Sequence, residues 1–170
     1  MLTIDTALRT WVVTHRIAGL DNVFWFLSVV GRGGMVWLAL AAIVAVARKR
    51  LRPFTVMLFA ILLASAIANT IIKPAVDRKR PFDVLSGDVI GGRPDDASFP
   101  SGHSANAFAG AATLVRFAPD GAIGWWALAV AIAFSRVYLG VHFPLDVIGG
   151  ALVGLASAWL AVRLTRFPEL

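Results

Sequence analysis

The sequence predicts an all-α, polytopic membrane protein: a bundle of five or six transmembrane helices preceded by an interfacial amphipathic helix. Of its 170 residues, 58% are hydrophobic and only 15% are charged, whereas a soluble domain carries about 45–50% apolar and about 25% charged residues. The mean hydropathy is +0.76. A crossing takes roughly 20 helical residues, so one domain, residues 1–170, accounts for the whole chain. A soluble enzyme, a disordered regulator and a free nucleic-acid binder are all disfavoured.

The first helix is predicted to lie in the plane of the membrane interface. Its apolar residues recur at helical spacing: Ile4, Ala7, Leu8, Trp11 and Val12. Asp5, Arg9 and Arg16 fall elsewhere on the helix, a pattern typical of interfacial helices. The early acidic residue and the lack of a long apolar core before a cleavage site argue against a signal peptide.

Five apolar segments follow: residues 22–47, 53–72, 104–115, 121–135 and 147–162. The second is the clearest span, because it holds no charged residue and is about one membrane thickness long. The last three are short unless flanking residues extend them. In the first, the run Gly31-Arg32-Gly33-Gly34 predicts a helix break, with a short piece before it and a crossing after it.

Basic residues predict the orientation of the chain. One side collects a basic connector without any acidic residue and two further helix ends marked by arginines: Arg48, Lys49, Arg50 and Arg52 in the connector, and Arg116, Arg163 and Arg166 at the helix ends. The positive-inside rule makes that side cytoplasmic. The opposite side, with residues 74–103 and 136–142, mixes both signs of charge and is the expected place of function. The net charge of +6 therefore gives no reason to expect a nucleic-acid partner.

Three segments on this opposite side carry residues suited to phosphate chemistry. Lys73 and Arg80-Pro81 follow the long span, and their cations can clamp a phosphate or simply reach for water at a helix end. Pro100-Ser101-Gly102-His103 opens the next helix, whose free amides attract anions and whose histidine can transfer a proton; an ordinary helix cap is the alternative.

The third segment contains Arg136, His142 and Asp146. The spacing of four residues lets the carboxylate orient the imidazole and leaves the second ring nitrogen as a nucleophile. The alternatives are a His–Asp pair that merely fastens a loop, and an arginine that anchors the helix at the interface.

Together, Lys73-x6-Arg80-Pro81, Pro100-Ser101-Gly102-His103 and Ser135-Arg136-x5-His142-x3-Asp146 resemble the three signature motifs of the type 2 phosphatidic acid phosphatase (PAP2) superfamily. They stand in the family's order and span residues 73–146. The resemblance implies phosphate hydrolysis without a metal or other cofactor, through a phosphohistidine intermediate. It implies that His142 attacks phosphorus, Asp146 orients it and His103 protonates the leaving oxygen. The remaining motif residues would hold the phosphate oxygens: Lys73, Arg80, Ser101, Gly102 and Arg136.

The short chain resembles small bacterial members that hydrolyse undecaprenyl diphosphate to undecaprenyl phosphate and inorganic phosphate at the outer face of the cytoplasmic membrane. Phosphatidylglycerol phosphate, phosphatidic acid and lipid A 1-phosphate are alternative substrates, and phosphotransfer to another lipid is an alternative reaction. A small transporter with a charged vestibule would explain the spans and the cations but not the two histidines with an aspartate. A vanadate-dependent haloperoxidase shares the motifs but is soluble.

Several other polar and aromatic residues have simpler interpretations. We expect His15 to be interfacial, and Asp77, Asp95 and Asp96 lack the spacing of a metal site. Three basic residues are expected to be solvated loop charges, with contact to a second phosphate as the alternative: Arg78, Lys79 and Arg93. Five tryptophans are expected in the interfacial belt or in packing: Trp11, Trp25, Trp37, Trp125 and Trp126.

Overall fold

The computed structural model describes residues 3–165, which form nine α-helices and contain no β-strand. The helices are α1 (Ile4–Thr14), α2 (Ala18–Val30), α3 (Met35–Ala47), α4 (Arg52–Ser65), α5 (Lys73–Val76), α6 (Pro81–Val84), α7 (Gly102–Phe117), α8 (Ala122–Tyr138) and α9 (Pro144–Leu164). A π-helical segment, Ala66–Ile72, joins α4 to α5, and short 3-10 turns precede α3 and α8. Arg166, assigned above to the cytoplasmic side, lies outside the described residues.

Helix α1 forms where the sequence predicts it. Unlike a helix of a soluble protein, it exposes its apolar residues and buries its charged ones. Ile4 and Trp11 are 81% and 61% exposed, while Asp5 and Arg9 are 5% and 0% exposed. An apolar outer face with buried charges is favourable only when the surroundings are apolar and the charges have partners. The position of α1 at the membrane interface stays a prediction.

The predicted helix break is confirmed, because α2 and α3 meet at 51° across Arg32–Gly34. Gly33 and Gly34 have φ values of 60° and 74°, a left-handed conformation that glycine adopts without strain. At Gly34 a Cβ would also lie 2.9 Å from the side chain of Ile61 on α4. The break therefore serves both the turn and the contact between helices.

Three helical stretches are long and apolar enough to cross a membrane: Arg52–Val84, Pro119–Tyr138 and Pro144–Leu164. The bent pair of α2 and α3 makes a fourth if it is one span. Helix α7 has 16 residues, about 24 Å at 1.5 Å per residue, and is shorter than a bilayer core of about 30 Å. The described residues thus support three or four spans, and the count of five or six stays a prediction.

Helix α7 occupies the centre of the bundle, against α4, α8 and α9. Gly154 allows α9 to approach closely, since a Cβ there would lie 2.8 Å from the Ala109 amide nitrogen. Small residues permit such backbone contact between membrane helices. Trp37 is fully buried in the same core, which confirms a packing role for this tryptophan. The Ser101 amide donates to the Asp146 carbonyl at 2.9 Å, so α7 and α9 begin side by side.

Candidate active site

A polar cavity of about 330 Å³ opens at the end of the bundle where α7 and α9 begin. Six of the eight residues predicted from the three motifs line it: Lys73, Arg80, Gly102, His103, Arg136 and His142. They come from α5, the N-cap of α6, α7, α8 and the loop before α9, so the fold gathers residues that are up to 69 positions apart in the chain. Ser101 and Asp146 lie behind this wall and are fully buried.

His142 lies in the connector between α8 and α9 and is only 2% exposed. Its Nε2 atom is 3.3 Å from Arg80 Nη1. A guanidinium can only donate, so Nε2 accepts and the ring proton sits on Nδ1. Burial lowers the pKa of His142 to about 4, with Arg80 and Arg136 acting in the same direction and the Asp146 carboxylate opposing them. The imidazole is therefore neutral near pH 7, with its lone pair on the atom that faces the cavity cations.

Asp146 stands behind His142, in the first turn of α9. Its Oδ2 atom is 3.4 Å from His142 Nδ1, and Nδ1 makes no hydrogen bond among the described residues. The carboxylate therefore acts on the ring as a nearby charge in this geometry. Other donors fix the carboxylate itself: Ser98 Oγ at 2.5 Å, the Phe143 amide at 2.8 Å and Arg78 Nη1 at 2.6 Å.

Asp96 bridges two of the cavity cations with its carboxylate. Arg80 Nη2 donates to Asp96 Oδ1 at 2.6 Å, and Lys73 Nζ pairs with Oδ2. Burial alone would raise the pKa of Asp96, but the hydrogen bonds from Lys73 and Arg80 outweigh it and lower this pKa. An anion already sits between these cations, which shows that their geometry suits an oxyanion. Residues 3–165 contain no group of three or more side chains suited to hold a metal ion.

Ser28 is a site residue that the sequence did not reveal. Its hydroxyl accepts a hydrogen bond from Arg136 Nη1, and its carbonyl oxygen is 3.1 Å from His103 Nε2. Because a carbonyl can only accept, the His103 proton must be on Nε2. The available signal was a lone hydroxyl near the end of the apolar segment that precedes the glycine break. Three further polar residues line the cavity without having been predicted: Ser65, Asn69 and Asn106.

Gly102 and Ser101, the two residues predicted at the start of α7, differ in their position relative to the cavity. Gly102 lines the cavity, and a Cβ there would lie 2.8 Å from Asn69 Oδ1. Ser101 is the N-cap of α7, where its hydroxyl accepts from the Ser104 amide at 3.4 Å. The predicted contact of this hydroxyl with a phosphate therefore competes with its capping role.

The expectation that Arg78 is a solvated loop charge is wrong. Arg78 is 29% exposed and donates at 2.6 Å both to Asp146 Oδ1 and to Asp5 Oδ2. Its guanidinium also lies 4.2 Å from the centre of the Phe143 ring. Two carboxylates and an aromatic face hold this cation, and it links the first helix to the residue behind His142.

Helix α1, together with Arg16 two residues beyond its end, holds the connector that carries His142 and its flanks. Arg9 donates to the carbonyl of Gly140 at 3.3 Å, and Arg16 Nε donates to that of Tyr138 at 2.7 Å. Asp5 Oδ1 accepts from the Leu145 amide at 2.8 Å. Buried charges that are paired in this way fix a loop, because leaving any of them without its partner is costly.

The sequence and the fold are similar to those of known proteins. The sequence profile of the PAP2 superfamily matches residues 53–168. The undecaprenyl-diphosphatase of Sulfolobus acidocaldarius is 34% identical over 156 residues, which cover 88% of this chain and 73% of that protein. The lipid A 4'-phosphatase of Bacteroides thetaiotaomicron is 28% identical over 162 residues, covering 84% and 70%. The crystal structure of Aquifex aeolicus LpxE matches with a TM-score of 0.83 and 26% identity, over 95% of this chain and 96% of that one. The chain belongs to the PAP2 superfamily and is a membrane phosphatase of lipid substrates.

Proposed function

We propose that this protein hydrolyses undecaprenyl diphosphate to undecaprenyl phosphate and inorganic phosphate, through a phosphohistidine on His142 and without a metal. One observation carries the mechanism: a buried, neutral imidazole presents Nε2 to a cluster of cations, with a carboxylate behind its other nitrogen. We take residues 1–170 as a single catalytic domain.

In the first step, His142 Nε2 attacks the terminal phosphorus, and the bond from phosphorus to the leaving oxygen breaks. Lys73, Arg80 and Arg136 neutralise the nonbridging oxygens, which is most of what phosphoryl transfer asks of a protein. The Asp96 carboxylate has to break its ion pairs with Lys73 and Arg80 as the phosphate binds. The ring of His142 becomes positive, and Asp146 then stabilises the Nδ1 proton at closer range.

His103 supplies and recovers the proton. An incoming phosphate anion favours a second proton on its ring, and this imidazolium protonates the leaving oxygen and returns to neutral. In the second step, neutral His103 accepts a proton from water, whose oxygen attacks the phosphohistidine. Inorganic phosphate leaves, and His142 is restored.

The choice of substrate rests on the 34% identity to an undecaprenyl-diphosphatase. A lipid A phosphatase is the second candidate, because a relative with that activity matches 84% of this chain. Initial rates of phosphate release should be compared across undecaprenyl diphosphate, lipid A, phosphatidylglycerol phosphate and phosphatidic acid. We expect the highest kcat/KM with undecaprenyl diphosphate. A higher kcat/KM with lipid A would make lipid A the assigned substrate without affecting the proposed mechanism.

We further propose five crossings, by α3, α4, α7, α8 and α9, with the cavity at the outer face of the cytoplasmic membrane. In support, Gly33 lines the cavity, so the glycine break lies at the level of the site and α3 starts its crossing there. The chain has no cysteine, so single cysteines report topology directly. Asp88→Cys should react with an impermeant maleimide on intact cells, and Lys49→Cys should not. The reverse result would place the cavity in the cytoplasm.

The mechanism is tested by phosphate release from undecaprenyl diphosphate in excess EDTA. We expect full activity in EDTA, loss of turnover in His142→Ala and an alkali-stable phosphoenzyme in the wild type after a rapid quench. His15→Ala is the matched control, because His15 is the one histidine far from the cavity and is exposed. Activity of His142→Ala at the wild-type level, or a strict need for added metal, would refute the mechanism.

A further inference from the structure

A second cavity of about 300 Å³ adjoins the first. Pro94, His103 and Arg136 line both cavities, whereas His142 lines only the first. The two spaces are therefore neighbours separated by the residues that would attend the leaving oxygen. Of the residues that line the second cavity, only His103 and Arg136 belong to the three motifs.

Every charged side chain that lines the second cavity is an arginine. Arg32, from the glycine break, and Arg93, from the loop before α7, line it together with Arg136. No carboxylate side chain is among the described residues that line it, in contrast to the first cavity, where Asp96 bridges the cations. Three guanidinium groups around one small space suit a phosphate, which guanidinium binds through paired hydrogen bonds.

In-line displacement decides which part of a substrate enters this space. The attacking and leaving atoms lie on opposite sides of phosphorus, so the leaving group departs on the side away from His142. The His103 proton that would meet the leaving oxygen is directed at the Ser28 carbonyl, and Ser28 lines the second cavity. The leaving group therefore passes into the second cavity.

Arg136 supplies an independent sign of a ligand. Its side chain is 8% exposed and forms part of the wall between the two cavities. Although Nη1 donates to Ser28, the buried Nε atom has no hydrogen-bond partner among residues 3–165. A buried donor without an acceptor is costly, and an oxygen of a ligand in either cavity would satisfy it.

We propose that the second cavity is a subsite for the inner phosphate of a lipid diphosphate, with Arg32 and Arg93 as its specificity-determining residues. The inference rests on the proposed phosphatase mechanism. The terminal phosphate binds beside His142, and the bridging oxygen faces His103. When the bond from the terminal phosphorus to the bridging oxygen breaks, its electron pair stays on the bridging oxygen, which takes the proton from His103. The two arginines hold the charge that remains on the lipid monophosphate. An alcohol leaving group would bring no charge to this cluster.

The test compares kcat/KM on farnesyl diphosphate and farnesyl monophosphate, two substrates with the same lipid. Arg32→Gln and Arg93→Gln should each lower kcat/KM for the diphosphate by about 10- to 100-fold, the size of a lost charge-assisted hydrogen bond. In the same variants, kcat/KM for the monophosphate should change by less than about twofold. This substrate has no inner phosphate, so it does not contact Arg32 or Arg93 and loses nothing when either is replaced. Arg116→Gln, an exposed arginine at the other end of α7, is the control and should leave both values unchanged. Equal losses on the two substrates, or no loss on either, would overturn the proposal.

A binding measurement keeps this inference separate from the mechanism. Methylenediphosphonate, which resists hydrolysis, should bind the wild-type protein more tightly than inorganic phosphate in a calorimetric titration, and Arg32→Gln should remove the difference. Diphosphonate that binds no more tightly than phosphate would overturn the subsite even if turnover proceeds as proposed. Conversely, a His142→Ala variant with full turnover would refute the mechanism while the binding difference persists.

Discussion

Replacing Arg78 with methionine should move the acid limb of the pH profile of kcat/KM upward by about one pH unit. The proposed reaction needs neutral His142, whose pKa burial lowers to about 4. Arg78 opposes protonation of this ring both as a nearby cation and as a partner that neutralises part of the Asp146 charge. Without Arg78 the imidazolium becomes easier to form, so the pKa of His142 rises and activity is lost at a higher pH.

The size of the shift follows from two contacts. Arg78 lies 2.6 Å from Asp146 Oδ1, and Oδ2 of the same carboxylate lies 3.4 Å from His142 Nδ1. These contacts put the guanidinium roughly 7 Å from the ring, where a unit charge contributes about 1–2 kcal/mol at an effective dielectric constant of about 20–40. At about 1.4 kcal/mol per pKa unit, the shift is about one unit.

The assay is kcat/KM for a lipid diphosphate from pH 3.5 to pH 8, corrected for stability by incubation at each pH and assay at neutral pH. Lys79→Met is the matched control, because it removes an adjacent exposed cation and should leave the limb in place. Adding Asp5→Asn to Arg78→Met should move the limb part of the way back, since a buried negative charge is then removed with the positive one. A limb that stays in place or moves down in Arg78→Met would refute the electrostatic role of this arginine.

Three further outcomes are expected. His103→Ala should lose more activity on a lipid monophosphate than on a diphosphate, because a phosphate leaving group with a pKa of about 6 needs less help from an acid than an alcohol does; equal losses would contradict proton donation by His103. Asp96→Asn should tighten inhibition by inorganic phosphate about tenfold, since the phosphate no longer competes with a carboxylate for Lys73 and Arg80; an unchanged inhibition constant would show that Asp96 does not compete. Gly154→Ala should lower the thermal midpoint in detergent, because its Cβ would meet the backbone of α7 and overpacking typically costs about 1–3 kcal/mol; Gly124→Ala, where a Cβ meets nothing within 4 Å, is the control.

What the sequence predicts well here is local. Ser101 caps α7 and Pro144 opens α9 because helix starts depend on a few adjacent residues. The His142–Asp146 spacing works for the same reason, since the connector just before α9 and the first turn of that helix are adjacent in the chain. The helix break at Gly33 is predictable because glycine adopts the positive φ of this turn without strain. The sequence also predicts that the three motifs lie together, because successive crossings place all three at helix ends on the same side of the membrane.

The missed features depend on partners far apart in the chain. Arg78 is 73 residues from Asp5 and 68 from Asp146, and no periodicity in the sequence links them. Ser28 takes its importance from Arg136, 108 residues away. The sequence pattern of α1 also does not show which way its polar face turns, because the segments that follow α5, α6 and α8 bury that face.

Under the proposed mechanism, the bridge that Asp96 forms between Lys73 and Arg80 makes phosphate binding an exchange of one anion for another. The affinity of the cavity then depends on how much more strongly an incoming ion interacts with these two cations than a carboxylate does. A phosphate dianion has the greater charge and gains, whereas chloride or acetate brings no more charge than the group it displaces and gains little. When inorganic phosphate departs, the Asp96 carboxylate returns to Lys73 and Arg80. Product release therefore does not leave these two cations close together without a counter-charge. In the proposed mechanism, a single loop carboxylate thereby both selects for dianions and limits how long the product stays.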